Sequence, residues 1–137
     1  MSLTPTTLAE AAQGLVGAPF RLHGRDPATG LDCVGVLAAA LHACGVNVEL
    51  PSGYRLRMGS IHAWLPAPDS LGFAASTGPV EPGDVVMQKL GAAQFHLAIA
   101  VEDAAWIHAH AGLRRVVRTS ALPQGPVVHH WRANPTT

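Results

Sequence analysis

The sequence contains few cysteines. Cys33 and Cys44 are the only two among 137 residues, too few for a disulfide framework. If both lie on one helix, roughly 16 Å separates them along its axis, far beyond the ~7 Å that a disulfide spans between α-carbons. We therefore expect no disulfide, and Cys44, among apolar neighbours, is interpreted as a small buried hydrophobic residue.

Charge is scarce and balanced. Charged residues make up 13% of the chain, with nine basic and nine acidic side chains. No net charge attracts the protein to nucleic acid or to an anionic membrane, so neither is an expected partner. No run approaches the ~20 apolar residues of a membrane span, and the first residues lack the pattern of a secretory signal. We expect a protein that is cytoplasmic as synthesised. To act outside the membrane it needs a leader absent from this sequence or a carrier such as a phage-like particle.

The hydrophobic content is that of a folded protein. Hydrophobic residues make up 48% of the chain, and 14 glycines and 11 prolines interrupt it often. A chain of this length fits one compact domain, which we assign to residues 1–137. The many turn residues indicate short elements.

Helical patterns are confined to the first half. The spacing predicts a helix over Thr7–Val16, opened by a capping box of Thr7 and Glu10. A Gly- and Pro-rich ordered loop is expected over Phe20–Leu31. The next helix, Asp32–Ala43, is apolar on nearly all sides and is expected to be central and buried, with Asp32 as its N-cap. A weaker helix is predicted over Tyr54–Leu65, followed by loop over residues 66–79.

The second half has the pattern of β-strands. Short apolar runs bounded by turn residues predict one antiparallel sheet. Helices first and strands second indicate an α+β fold, with the helix that carries Cys33 packed on a curled sheet or small barrel. The predicted strands are Asp84–Leu90, Phe95–Val101, Ala105–His110, Leu113–Thr119 and Val127–Trp131.

Cys33 is the candidate nucleophile. It follows the expected N-cap, so it occupies the first helical position, where unpaired N–H groups favour an anion. A cysteine attacks only as the thiolate, and a helix start and a nearby histidine are common means of lowering a thiol pKa. We therefore predict a lowered pKa for Cys33.

Histidines supply the candidate base. His96 opens a predicted strand, which places its imidazole at a sheet end. If a three-residue loop around Asp103 joins this strand to the next, then His96, His108 and His110 share one face. The pattern indicates a base and an orienting partner, but strand alternation alone allows either later histidine.

Four sequence motifs together resemble the NlpC family of bacterial cell-wall cysteine peptidases. The string GLDCVG opens a helix, EPGDVV precedes a strand, FHLAIAV follows the cysteine by about sixty residues, and IHA comes twelve residues after that histidine. The match extends over roughly Leu8–Thr119. The resemblance implies a reduced papain-like fold with a five- or six-stranded sheet or half-barrel. It also implies hydrolysis of γ-D-glutamyl bonds to the diamino acid in peptidoglycan stem peptides, without a cofactor.

The resemblance also assigns roles to residues. Cys33 matches the nucleophile, His96 the base and His108 the third polar member that holds the base in its tautomer. The twelve-residue interval matches the family for His108 and not for His110. The segment APFRLHGRDPATGLDC resembles the branch associated with phage tails and gene-transfer particles.

One position departs from the family. Members usually carry a tyrosine before the cysteine, with its hydroxyl near the nucleophile, whereas the matching residue here is Phe20. The oxyanion would then depend on the Cys33 backbone N–H or on His23, so weakened activity is one expectation. Further candidates for substrate contact are Asp32 and two arginines, Arg21 and Arg25, whose guanidinium groups suit carboxylates of a stem peptide.

Three other functions use parts of the same pattern. A zinc site could use His96, His108 and His110, but no HExxH motif occurs and closely spaced histidines on strands more often bond to backbone carbonyls, so we expect no metal. An idle structural module of a phage-like tail would keep the fold without the activity. A thiol acyltransferase of related fold would have its histidine before its cysteine, and here Cys33 comes first.

Overall fold

The computed structural model describes residues 3–46, 72–91 and 94–133. The predicted helix Tyr54–Leu65 lies outside these residues. None of the helices in the described ranges is long and apolar enough to cross a membrane. The elements in chain order are α1 (Pro5–Gln13), β1 (Arg25–Asp26), β2 (Gly30–Leu31), α2 (Cys33–Ala43), β3 (Phe73–Ala75), β4 (Val85–Gly91), β5 (Gln94–Val101), β6 (Ala105–His110), β7 (Arg115–Thr119) and β8 (Val127–Ala133).

Helix α1 starts and ends earlier than predicted. Thr4, not Thr7, is the N-cap: the Thr4 hydroxyl accepts from the Thr7 N–H at 3.1 Å, and the Thr7 hydroxyl accepts from the Thr4 N–H at 2.9 Å. Pro5 at the first helical position already has the required φ and has no N–H to satisfy. The prediction of a capping box of Thr7 and Glu10 was therefore wrong, and the helix ends at Gln13 rather than at Val16.

Helix α2 matches its prediction closely. It runs from Cys33 to Ala43 with Asp32 as N-cap. The segment before it, predicted as loop, contains the short antiparallel pair β1 and β2. This pair packs tightly on the helix start, where a Cβ on Gly35 would lie 2.1 Å from the carbonyl oxygen of Gly24. Only glycine at position 35 allows that approach.

The main sheet has six strands in the order β3-β8-β4-β5-β6-β7, and all neighbours are antiparallel. Strand β3 lies in the segment predicted as loop. Three residues in a Gly- and Pro-rich segment carry too little pattern to indicate a strand, and their pairing with the end of β8 supplies the hydrogen bonds. The predicted α+β fold with an antiparallel sheet is confirmed.

The core lies between the helices and one face of the sheet. Apolar side chains at odd positions of β4, β5 and β6 pack with the buried faces of α1 and α2, as expected from strand alternation. Those side chains include Met87, Leu97 and Ile107 from the sheet and Leu8 and Leu41 from the helices, each at most 2% exposed.

A buried carboxylate joins the start of β4 to β8. Asp84 accepts from the ring Nε2 of His130 at 2.6 Å and from Arg132 Nε at 2.8 Å. Burial would raise the pKa of Asp84, but hydrogen bonds from Arg132, the Glu81 N–H and His130 outweigh it and hold that pKa below its usual value. The aspartate of the EPGDVV motif is thus an anchor of the sheet.

Candidate active site

The junction before α2 presents Cys33. The buried Asp32 carboxylate accepts from the Gly35 N–H at 2.8 Å and from the His23 N–H at 2.8 Å. Arg25 forms an ion pair with the same carboxylate at 3.2 Å. Asp32 and Arg25 therefore hold the loop against the helix start, next to Cys33.

The hairpin of β5 and β6 presents the histidines. Its loop comprises residues 102–104, and Asp103 and Ala104 take left-handed φ values of 64° and 55°. This is the predicted three-residue loop around Asp103. Pairing of β5 with β6 extends from Val101↔Ala105 to Ile99↔Ile107. Since alternate residues share a face, His96 and His108 are on the same side of the hairpin.

The two histidines meet where the paired stretch ends. Beyond Ile99 and Ile107, β5 continues to pair with β4, and β6 continues to pair with β7. In this interval the His96 Nε2 lies 3.0 Å from the His108 Nδ1, with the rings nearly perpendicular at 88°. The structure therefore brings the candidate base into hydrogen-bond contact with the candidate third member.

His108 has a second partner that the sequence did not reveal. Its Nε2 lies 2.9 Å from the Thr119 Oγ1, and that hydroxyl donates to the Ala121 carbonyl at 2.8 Å. Thr119 is the last residue of β7, and strand pairing places it beside β6. A threonine at a strand end carries no distinctive sequence signal, so it was missed.

Cys33, His96 and His108 line one pocket of about 240 Å³. Cys33 is half-buried in its wall. Phe20 also lines the pocket. Most of the remaining wall is apolar and consists of Leu90, Phe95, Ala109, Ala111, Gly112 and Pro123.

The other candidates for substrate contact have different surroundings. His23, Asp32, Arg21 and Arg25 are not among the described residues that line the pocket. His110 lines it, and its Nδ1 accepts from the Leu113 N–H at 3.0 Å. His110 thus has a backbone partner of its own at the rim.

Gln88 holds the segment that contributes Pro123 to the pocket wall. Its buried amide donates to the Pro123 carbonyl at 2.7 Å and to the Gly125 carbonyl at 3.0 Å. Gln88 pairs with His96 in the sheet register, so it ties the wall segment to the strand that carries His96. A single glutamine within an apolar run gave no functional signal in the sequence.

The surroundings keep His96 neutral. Burial and the charges of His108 and His110 when protonated lower the pKa of His96 to about 4. Burial and His110 also lower the pKa of His108. Near neutral pH both rings are therefore uncharged, and His96 is free of a proton on one nitrogen, as a base must be.

The thiol pKa moves in the direction opposite to the prediction. Burial and the charge of Asp32 raise the pKa of Cys33 to about 11. Hydrogen bonds from the backbone N–H groups of Leu97 in β5 and of Val34 and Cys33 at the helix start lower it, but they are outweighed. The expectation of a lowered pKa was wrong because the sequence pattern shows the helix start but not the desolvation. The resting site holds its proton on sulfur.

The alkylation rate of Cys33 should therefore rise steeply with pH. Only the thiolate reacts, so a pKa well above neutral predicts an increase of about 100-fold in the iodoacetamide rate from about pH 7 to about pH 9. Mass mapping of the adduct assigns the rate to Cys33. A rate that stays level across this range would indicate a stable thiolate–imidazolium pair instead.

Asp32→Asn is the matched variant for that measurement. Asparagine keeps the N-cap acceptor and removes the negative charge beside the sulfur. The pKa of Cys33 should fall, and its alkylation near neutral pH should accelerate relative to the wild type. An unchanged rate would show that the Asp32 charge does not act on the thiol.

Metal ligation has no support in the described ranges. Within residues 3–46, 72–91 and 94–133, no three His, Cys, Asp or Glu side chains converge in a way that could hold a metal ion. The His96 Nε2 and the His108 Nδ1 instead face each other at 3.0 Å.

Comparison with known families gives a match over most of the chain. The model of the NlpC/P60 family matches residues 17–132. A search of curated proteins finds no match to this sequence.

Solved structures share the fold. NlpC1 from Trichomonas vaginalis aligns with a TM-score of 0.70 at 16% identity, covering 94% of this chain and 44% of that one. An NlpC/P60 family protein from Bacillus cereus ATCC 10987 aligns at 0.69 and 19% identity, covering 98% and 42%. The chain thus spans less than half the length of these two proteins. The NlpC/p60 domain of the peptidoglycan hydrolase SagA aligns at 0.59 and 23% identity, covering 86% and 90%.

Proposed function

Since the chain belongs to the NlpC/P60 family, we propose that it is a cysteine peptidase that hydrolyses peptidoglycan stem peptides. Cys33 is the nucleophile, His96 the base and His108 the residue that orients His96. The observation that carries the proposal is the placement of all three in one pocket, with His96 bonded to His108 at 3.0 Å. A peptidoglycan hydrolase domain among the similar structures supports a cell-wall substrate.

In the acylation step the proton moves as the bond forms. At neutral pH Cys33 is a thiol and His96 a neutral imidazole, so sulfur attacks the carbonyl carbon as His96 takes the thiol proton. The carbonyl π electrons move to oxygen and give a tetrahedral oxyanion. His96 then protonates the leaving amine, the C–N bond breaks and a thioester to Cys33 remains.

Deacylation runs through the same base. His96 takes a proton from water while the water oxygen attacks the thioester carbonyl. The C–S bond breaks as the tetrahedral intermediate collapses, and His96 returns the proton to sulfur. The neutral state of His96 near neutral pH lets it accept a proton in both half-reactions.

Oxyanion stabilisation has one less donor than usual in this family. Phe20 contributes a ring to the pocket but no hydroxyl. The Cys33 backbone N–H at the start of α2 is the donor that we assign to the oxyanion. Losing one such donor costs enzymes about 100-fold or more in rate, so slow turnover is consistent with this proposal.

We also propose the bond between the γ-carboxyl of D-Glu and the diamino acid as the one that is cut. This assignment rests on family resemblance alone. A short muropeptide with the γ-linkage should be cleaved, whereas an L-peptide of matched length should not, as followed by mass analysis of the fragments. Equal cleavage of casein, or intact muropeptides after incubation with the wild type, would contradict it.

A second candidate function is a weakly active or idle structural module of a phage-like particle. Phe20 in the place of a donor and the raised pKa of Cys33 favour it. Because the segment before Cys33 resembles the branch associated with phage tails, we also propose a phage-like particle as the carrier of an active enzyme. Digestion of whole peptidoglycan separates the peptidase from an idle module, because only the peptidase releases fragments.

A further inference from the structure

The histidine pair is anchored by a hydroxyl with only one proton. Thr119 donates that proton to the Ala121 carbonyl, with 2.8 Å between the oxygens. Toward the His108 Nε2, at 2.9 Å, the same hydroxyl can then only accept. The Nε2 of His108 must therefore carry a proton.

The proton on His108 determines the one on His96. A neutral imidazole has a single N–H, so the His108 Nδ1 is an acceptor. The His96 Nε2, 3.0 Å away, must donate to it. The His96 Nδ1 is then the bare nitrogen and the one available to take a proton from Cys33.

We infer that Thr119 is a positioning residue of the active site, which sets the tautomers of His108 and His96 through its bond to the Ala121 carbonyl. The hydrogen bonds that run from His96 through His108 and Thr119 to Ala121 form a relay. Its donor-to-acceptor direction is thus set outside the two imidazole rings, by a backbone carbonyl that can only accept. The inference rests on the proposed function for its catalytic consequence, but the proton positions themselves do not depend on activity.

Without the hydroxyl the relay has no fixed direction. His108 would be free to place its proton on Nδ1, facing the His96 Nε2. His96 would then hold its proton on Nδ1 and could not act as base toward Cys33. A wrong tautomer of the base is among the costliest defects in a catalytic triad.

Proton–nitrogen correlation spectra of nitrogen-labelled wild type near neutral pH give the first readout. The signals are assigned with the variants His96→Gln and His108→Gln. Both rings should be protonated at Nε2 and bare at Nδ1. Protonation of His108 at Nδ1 in the wild type would overturn the inference whether or not the protein cleaves peptidoglycan.

The second readout compares Thr119→Val with Thr119→Ser. Valine has the shape of threonine without the hydroxyl, and serine restores the hydroxyl. The valine variant should lose the uniform Nε2–H pattern, and its kcat should fall by at least about tenfold with little change in KM. The serine variant should keep the pattern and most of the turnover.

The inference would be overturned if folded Thr119→Val kept the wild-type tautomers. It would also be overturned if Thr119→Ser did not show them. A wild type that shows the expected tautomers but cleaves no muropeptide would contradict the proposed function and leave the positioning role of Thr119 supported.

Discussion

Replacement of Cys33 by alanine is expected to lower muropeptide cleavage by at least about 1,000-fold, because no other group in the pocket can form the thioester. Alanine suits the first turn of α2, and the N-cap bond from Asp32 to the Gly35 N–H does not involve the thiol. Thermal unfolding should therefore change little. The rate of fragment release, measured by mass analysis, checks the expectation.

The second cysteine provides the matched control. Cys44 is buried at the end of α2, and its S–H donates to the Thr7 hydroxyl at 3.7 Å. Cys44→Ala should reduce the free energy of unfolding by about 1 kcal/mol and leave cleavage within about threefold of the wild type. Loss of cleavage in Cys44→Ala with normal activity in Cys33→Ala would show that the nucleophile is misassigned.

The second large effect is expected for His108. Its replacement by alanine removes the acceptor of the His96 Nε2, so the base loses both its orientation and its tautomer. We expect kcat to fall by about tenfold or more. Because the His108 ring is buried, unfolding is measured on the same sample to separate lost activity from lost structure.

His110→Ala distinguishes this role from a general one for pocket histidines. His110 bonds to the Leu113 N–H at the rim, so its removal should lower kcat by no more than about threefold. Its positive charge when protonated contributes to the lowered pKa of His96. Removing it should raise that pKa and move the acidic limb of the kcat/KM profile to higher pH. A larger loss in His110→Ala than in His108→Ala would mean that the orienting histidine is misassigned.

Local sequence pattern did not decide whether His108 or His110 orients His96. Strand alternation placed both on the face of His96 and favoured neither, and only the family spacing selected His108. In the structure the pairing of β5 and β6 stops at Ile99 and Ile107. The rings of His96 and His108 meet just beyond that point. The end of a paired stretch depends on how each strand follows its other neighbour, which no local pattern records.

Some boundaries of the helices and strands were likewise predictable from the sequence and others were not. Asp32 was recognised as the N-cap of α2 because its side chain acts on the helix that directly follows. At α1 the predicted capping box of Thr7 and Glu10 did not form, and the box that begins at Thr4 forms instead, with Pro5 in the first turn. Strand β3 escaped prediction because its partner, β8, lies more than fifty residues further along the chain.

The sequence by itself determined that helices come before the main strands, the cap at the start of the helix that carries Cys33, and the loop that returns His108 toward His96. These follow from local periodicity and turn chemistry, which act over a few residues. Only the tertiary structure decided that Thr119 completes the histidine relay and that the pKa of Cys33 rises rather than falls. Both outcomes depend on contacts between distant segments, since the desolvation of a buried sulfur is set by every atom that packs around it.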